Sequence, residues 1–185
     1  MLHMKSITKE IKNDKEGFNK IKQLYKSAFP RQEQASLGLL ISQTKKDSVR
    51  FDAFYDESVF VGITYTISFD GVTYLWYLAT SSEFRGKGYG SQIMQHLTKI
   101  YPDNRIVLNL DVQDASASDS EVREKRKEFY IRNGYTTAEY SCIFNRNHLD
   151  VMTIGGEVTQ SEFLAIFKHY FGPIVNFLAR PKIVD

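Results

Sequence analysis

The segment FRGKGYGS, residues 84–91, sets Gly86, Gly88 and Gly90 around Arg85, Lys87 and Tyr89, just ahead of an amphipathic run. Glycines this close let a backbone turn left-handed and approach a ligand unobstructed. If a helix starts here, its first amides lack internal partners and its dipole favours negative charge, so the segment suits a phosphate. Spacing limits which kind. A nucleoside-triphosphate loop needs G-x-x-x-x-G-K-[ST], but Lys87 lies between glycines and no Gly-Lys-Ser/Thr opens the helix. The dinucleotide fingerprint G-x-G-x-x-G matches at Gly86 and Gly88 and fails at Ser91, although Asp111 stands where an acid could hold a ribose. A tight turn flanked by two solvated cations is the plain alternative.

Other reactive side chains point less sharply. Cys142 shares a strand face with Ala138, Tyr140 and Phe144, which reads as core. His3, His96, His148 and His169 lie far apart and lack metal-ligand spacing, so no metal is expected. Arg123, Lys125, Arg126, Lys127 and Arg132 alternate with Glu121, Glu124 and Glu128, the pattern of a solvated helix with i,i+4 ion pairs.

The elements that must hold the glycine segment follow from periodicity. A short strand is expected over residues 2–9. Phe18, Ile21, Leu24, Tyr25, Ala28 and Phe29 recur at helical spacing until Pro30, and a second helix is expected over 33–44. Period-two patterns then predict strands over 49–56 and 58–69, Asp70-Gly71 is a hairpin turn, and 72–80, apolar on both faces, reads as a third strand covered on both sides. Residues 90–101 read as a helix closed by Pro102, and 106–111 as a buried strand. Strand, loop, helix and strand over 72–111 form a right-handed crossover between parallel strands. A polar segment, VQDASASDS, precedes a helix over 121–133 with Ser118 and Glu121 as its capping box and Gly134 as its stop. A hairpin over 136–144 and 148–154 and a helix over 159–171 complete the pattern. The stripe from Phe163 to Phe171 needs a core or a dimer contact.

Counted from Arg85, the loop satisfies Arg/Gln-x-x-Gly-x-Gly/Ala with Gly88 and Gly90. Some forty residues later, EFYIRNGY (128–135) satisfies aromatic-Tyr-x-x-x-Gly-Phe/Tyr. With both motifs on the expected elements, and the element order matching over almost the whole chain, the sequence resembles the GCN5-related N-acetyltransferase (GNAT) superfamily. The resemblance implies one α/β domain over 1–185, with a mixed, mostly antiparallel sheet splayed between strands four and five and flanked by helices. The cofactor-binding region would span about 72–135, and the closing hairpin and helix 136–171.

The resemblance also implies chemistry: direct transfer of an acetyl group from acetyl-coenzyme A to an amine. The loop Arg85, Gly86, Lys87, Gly88, Tyr89, Gly90, Ser91 would wrap the pyrophosphate. The strand end Leu78-Ala79-Thr80 would pair with the pantetheine arm, and the Leu78 amide would stabilise the oxyanion. Tyr130 would be the general acid toward the thiolate. No carboxylate stands in the strand Val72–Thr80, where many relatives keep one, so Glu33 and Asp111 are the candidate general bases. Arg123 and Arg126 replace an asparagine and a small residue common in the family. The rival expectation is a non-catalytic module of the same fold that binds coenzyme A or a protein partner.

Composition excludes other classes. A formal net charge of +2, from 24 basic and 22 acidic residues, is too small and too dispersed for a nucleic-acid partner. Aromatic residues make up 14% of the 185 residues, which argues against disorder. A lone cysteine fits a reducing cytoplasm. Neither a signal peptide nor a run of about 18 apolar residues is present, so no membrane is expected. The expected acceptor is a small-molecule or peptide amine, and a homodimer through the closing hairpin or last helix is compatible.

Overall fold

A computed structural model describes residues 6–10 and 17–184, with side chains described for 17–172 and 180–184. The elements in chain order are β1 (Ser6–Glu10), α1 (Phe18–Ala28), α2 (Leu37–Gln43), β2 (Val49–Asp56), β3 (Val59–Phe69), β4 (Val72–Thr80), α3 (Tyr89–Ile100), β5 (Arg105–Asp111), α4 (Ser120–Arg132), β6 (Thr136–Phe144), β7 (Asn147–Ile154), α5 (Gln160–Ala179) and β8 (Lys182–Val184). A single 3-10 turn, Ser82–Phe84, follows β4. Residues 2–5 of the expected first strand, and His3, lie outside the described residues.

The chain forms two compact units, Met1–Ile67 with Leu75–Ile100 and Ser68–Tyr74 with Tyr101–Asp185. In the first, strands follow the order β1-β2-β3-β4, with β1 and β2 antiparallel to their neighbours. Phe51, Ile63, Tyr65 and Ile67 are fully buried, as are Ile21 and Tyr25 of α1. Helix α1 ends because Phe29 is extended (φ −116°, ψ 135°), the conformation that Pro30 imposes on the residue before it.

In the second unit the order is β4-β5-β7-β6-β8. Parallel pairing of β4 with β5 is confined to Val72–Tyr74 against Arg105–Val107, and β5 then pairs antiparallel with β7 throughout. This is the expected mixed α/β sheet, with the pairing of strands four and five breaking off after Tyr74. Phe163, Ile166, Phe167 and Tyr170 of α5 are buried, and Tyr74 meets the rings of Phe163 and Phe167 at 6.0 and 5.0 Å. The aromatic stripe of the last helix is therefore core.

Turn chemistry held where it was local. Asp70 and Gly71 both have positive φ (48° and 73°), as do Asn145 and Arg146 (50° and 68°), the twist that two-residue hairpins require. Three expectations need correction. Helix α2 is shorter than 33–44 because the backbone before it bonds to tyrosine side chains: Tyr77 Oη accepts from the Ala35 amide (3.1 Å) and donates to Glu33 O (2.8 Å). Ser118 does not cap α4; Asp119 stands at the N-cap without a side-chain cap bond and pairs with Arg123 instead. The working capping box belongs to α5, where the Thr159 amide donates to Glu162 Oε2 (2.9 Å) and the Glu162 amide to Thr159 Oγ1 (3.3 Å). Helix α5 also runs past 171, broken at Gly172 (φ 74°, ψ 167°) just before Pro173, and β8 then pairs with β6.

Candidate active site

The glycine loop is built from one side of the first unit. Phe84 closes the 3-10 turn, with its amide on Ser81 O at 2.9 Å, and the Ser81 amide is tied to Val61 O at 2.9 Å. Gly86 and Gly88 then take left-handed φ values of 73° and 86°, and an added Cβ at either would meet nothing within 4 Å. The glycines are thus required by conformation and leave open space above the backbone. Gly90 lies inside the first turn of α3. Gly86, outside the pattern counted from Arg85, is as necessary to the turn as Gly88.

Helix α3 closes its first bond from the Gln92 amide to Gly88 O at 3.1 Å. The amides of Gly88, Tyr89, Gly90 and Ser91 have no partner among the described residues. Unpaired amides at the positive end of a twelve-residue helix, beside exposed Arg85 and Lys87, make an anion site. The loop side chains fold back toward the protein. Lys87 Nζ lies 5.3 Å above the Phe84 ring, and Tyr89 meets that ring edge-on at 5.4 Å.

The strand end before the loop is held by close packing. Leu78 packs with Phe84 and Tyr89 against Phe54, Val61 and Ile93. Gly62 of β3 lies beneath it: a Cβ there would come within 2.7 Å of Ala79 O and 2.9 Å of Ile93 Cδ1. Trp76 and Tyr77 stack at 5.5 Å with only 8° between ring planes. Burial alternates through Trp76, Tyr77, Leu78, Ala79 and Thr80, so the strand keeps its pleat to its end. Sequence reasoning passed over Gly62 and Tyr77, although a glycine in mid-strand is itself a sign of close backbone approach.

Glu33 belongs to the same unit. It is half-buried in the α1–α2 linker, beside Tyr77, whose pKa is raised by burial and further by the Glu33 charge. Tyr130 and Asp111 belong to the second unit. Tyr130 is 8% exposed, and burial pushes its phenol up to about 12, with Arg126 opposing. Its hydroxyl has no hydrogen-bond partner among the described residues. Asp111, at the end of β5, lies 3.5 Å from the Arg126 guanidinium, so its charge is already compensated.

The five basic side chains of α4 are all paired. Arg123, Lys125 and Arg132 pair with Asp119, Glu121 and Glu128 at i,i+4, while Arg126 and Lys127 reach Asp111 and Asp150 (2.7 Å for the latter). Cys142 is fully buried, and burial pushes its thiol up to about 12. Among the described residues no three His, Cys, Asp or Glu side chains cluster as metal ligands, and no helix is long and apolar enough to cross a membrane.

A mixed sheet whose fourth strand leads through left-handed glycines into a helix with unpaired first amides matches the arrangement that the sequence resemblance implies. The acetyltransferase (GNAT) family model matches residues 18–121, more than half of the chain, and the protein belongs to that family. No curated protein matches it significantly in sequence. Among solved structures, a GNAT-family protein from Bacteroides thetaiotaomicron is similar with a TM-score of 0.73 and 21% identity, over 92% of this chain and 98% of its own. An aminoglycoside 6′-N-acetyltransferase complexed with coenzyme A gives 0.64 and 19%, over 80% and 96%. Arabidopsis thaliana Naa50, in complex with a bisubstrate analogue, gives 0.58 and 15%, over 82% and 99%. At these identities the likeness is one of fold.

Proposed function

We propose that this chain is an N-acetyltransferase that moves an acetyl group directly from the thioester of acetyl-coenzyme A to an amine, with residues 1–185 acting as one catalytic domain. The observation that carries this reading is the run of unpaired amides from Gly88 to Ser91 behind the left-handed glycines. Backbone donors of this kind hold a pyrophosphate, and Arg85 and Lys87 add charge. Leu78, Ala79 and Thr80 would pair with the pantetheine amides, and the Leu78 amide would polarise the carbonyl.

In the reaction the amine nitrogen would form the new C–N bond and the C–S bond would break; a carboxylate would take the proton lost by nitrogen, and coenzyme A would leave as a thiolate that solvent protonates. Tyr130 would serve the sulfur. Full transfer from a phenol near 12 to a thiolate whose acid lies near 8.5 would be uphill. Tyr130 therefore acts chiefly by donating a hydrogen bond to the departing thiolate. Glu33 and Asp111 are the two carboxylates that would take a proton from the amine, and Asp111 already lies 3.5 Å from the Arg126 guanidinium. The acceptor class is a small-molecule or peptide amine, as the aminoglycoside enzyme and the peptide-analogue complex among the similar folds suggest.

Isothermal titration of acetyl-coenzyme A tests the pocket. The wild type should bind, and Gly88→Trp, which fills the open space above the loop, should not. Absence of binding by the wild type, or binding unchanged in a folded Gly88→Trp, would overturn the assignment.

A further inference from the structure

Opposite the glycine loop lies a contact that none of the motifs contains. Tyr89, the first residue of α3, donates its hydroxyl to Asp56 Oδ2 at 2.7 Å. Asp56 ends β2, at a two-residue turn whose Glu57 is itself left-handed (φ 56°). An acid beside an anion site should weaken it, since a like charge opposes the ligand. Here the carboxylate is engaged by a phenol, and that phenol grows from the helix turn whose amides face the ligand.

We infer that Asp56 and Tyr89 form a positioning pair for the anion loop, holding the first turn of α3 in the conformation that accepts a pyrophosphate. This rests on the acetyl-coenzyme A reading of the loop. Three observations support it. The loop between Phe84 and Tyr89 contains two left-handed glycines with nothing within 4 Å of their Cβ positions, so packing at the glycines does not fix it. The rings of Phe84 and Tyr89, one on each side of that loop, meet edge-on at 5.4 Å and clasp it at its base. The bond to Asp56 then anchors the clasp to the β2–β3 turn, and a hydroxyl on a carboxylate at 2.7 Å is a charge-assisted contact. The hydrogen bond to Asp56 also raises the Tyr89 pKa, so the phenol stays a donor through neutral pH. Ordering the loop before the ligand arrives removes part of the entropic penalty of binding.

Titration of coenzyme A into wild type, Tyr89→Phe, Asp56→Ala, Asp56→Asn and the Tyr89→Phe/Asp56→Ala double variant tests this. Each of Tyr89→Phe and Asp56→Ala should raise Kd about threefold to tenfold. The double variant should bind no more weakly than the worse single, and Asp56→Asn, which keeps an acceptor oxygen, should lie near wild type. The variants should melt within about 4 °C of wild type, which separates positioning from loss of fold. An unchanged Kd for Tyr89→Phe, or additive losses in the double variant, would overturn the pairing. If Asp56→Ala does not fold, Tyr89→Phe decides alone, because it removes one oxygen. A wild type that fails to bind coenzyme A would instead overturn the cofactor reading.

Discussion

The backbone amide of Tyr135 donates to the carbonyl of Tyr130 at 3.1 Å, across the left-handed Gly134 (φ 88°). With the Gly134 amide on Ile131 O at 2.9 Å, this closes α4 by the six-to-one and five-to-two bonds of a Schellman motif. The two tyrosine rings meet edge-on at 5.7 Å. The aromatic-Tyr-x-x-x-Gly-Tyr signature is thus a helix stop whose end contact fixes where the Tyr130 phenol points.

Tyr130→Phe removes one oxygen and keeps that packing. Once an acceptor is in hand, kcat should fall about 100-fold or more, with the Kd of acetyl-coenzyme A unchanged. Full activity would remove Tyr130 from the chemistry.

Gly134→Ala tests the stop itself. An added Cβ would stand at a strained φ of 88° and 3.3 Å from Ile154 Cδ1. The expected loss is about 1–2 kcal/mol in denaturant unfolding. A variant as stable as wild type would show that the left-handed position is not needed.

Gly62→Ala should be worse, because its Cβ would meet the Ala79 carbonyl at 2.7 Å, a backbone atom that cannot swing aside. A loss of about 1–3 kcal/mol is expected, together with weaker coenzyme A binding, since Ala79 belongs to the strand end before the loop. Gly71→Ala is the control: its φ is 73° but its Cβ would meet nothing within 4 Å. Equal losses at the two positions would argue against a steric role for Gly62.

Acid sensitivity should centre on Glu162. Its carboxylate is held down at about 2, first by Arg105 (2.7 Å) and then by Thr159. A depressed carboxylate stabilises the fold above its unfolded value near 4.5, and the contribution is lost as pH falls toward 2. Stability of wild type should therefore drop between about pH 4.5 and 2, and Glu162→Gln should flatten that slope while lowering stability at neutral pH. Parallel pH profiles for the two proteins would contradict this.

Cys142 should resist a thiol reagent at pH 8 in the native state and react fully in denaturant, because burial holds its thiol near 12 and closes access. Rapid native labelling would place it at the surface.

Much of this protein was legible in its sequence, for a local reason. The strand Val49–Asp56 ends where alternation ends, Val72–Thr80 ends where its apolar run ends, and the hairpin turns stand at Asp-Gly and Asn-Arg. The glycine loop, the helix after it and the stop at Gly134 depend on neighbours within a few residues, so composition and spacing determine them. The sequence by itself therefore set the order of elements, the glycine loop and the place of Tyr130 in the last turn of its helix. Tertiary structure alone decided the rest. Gly62 is required by a carbonyl seventeen positions away, Asp111 is neutralised by Arg126 across a helix, and Tyr77 holds a linker more than forty residues before it. Asp56 is joined to Tyr89 only because β2 and α3 are packed together. Such pairs leave no local pattern, because the energy that fixes them exists only once the chain has brought both partners into contact.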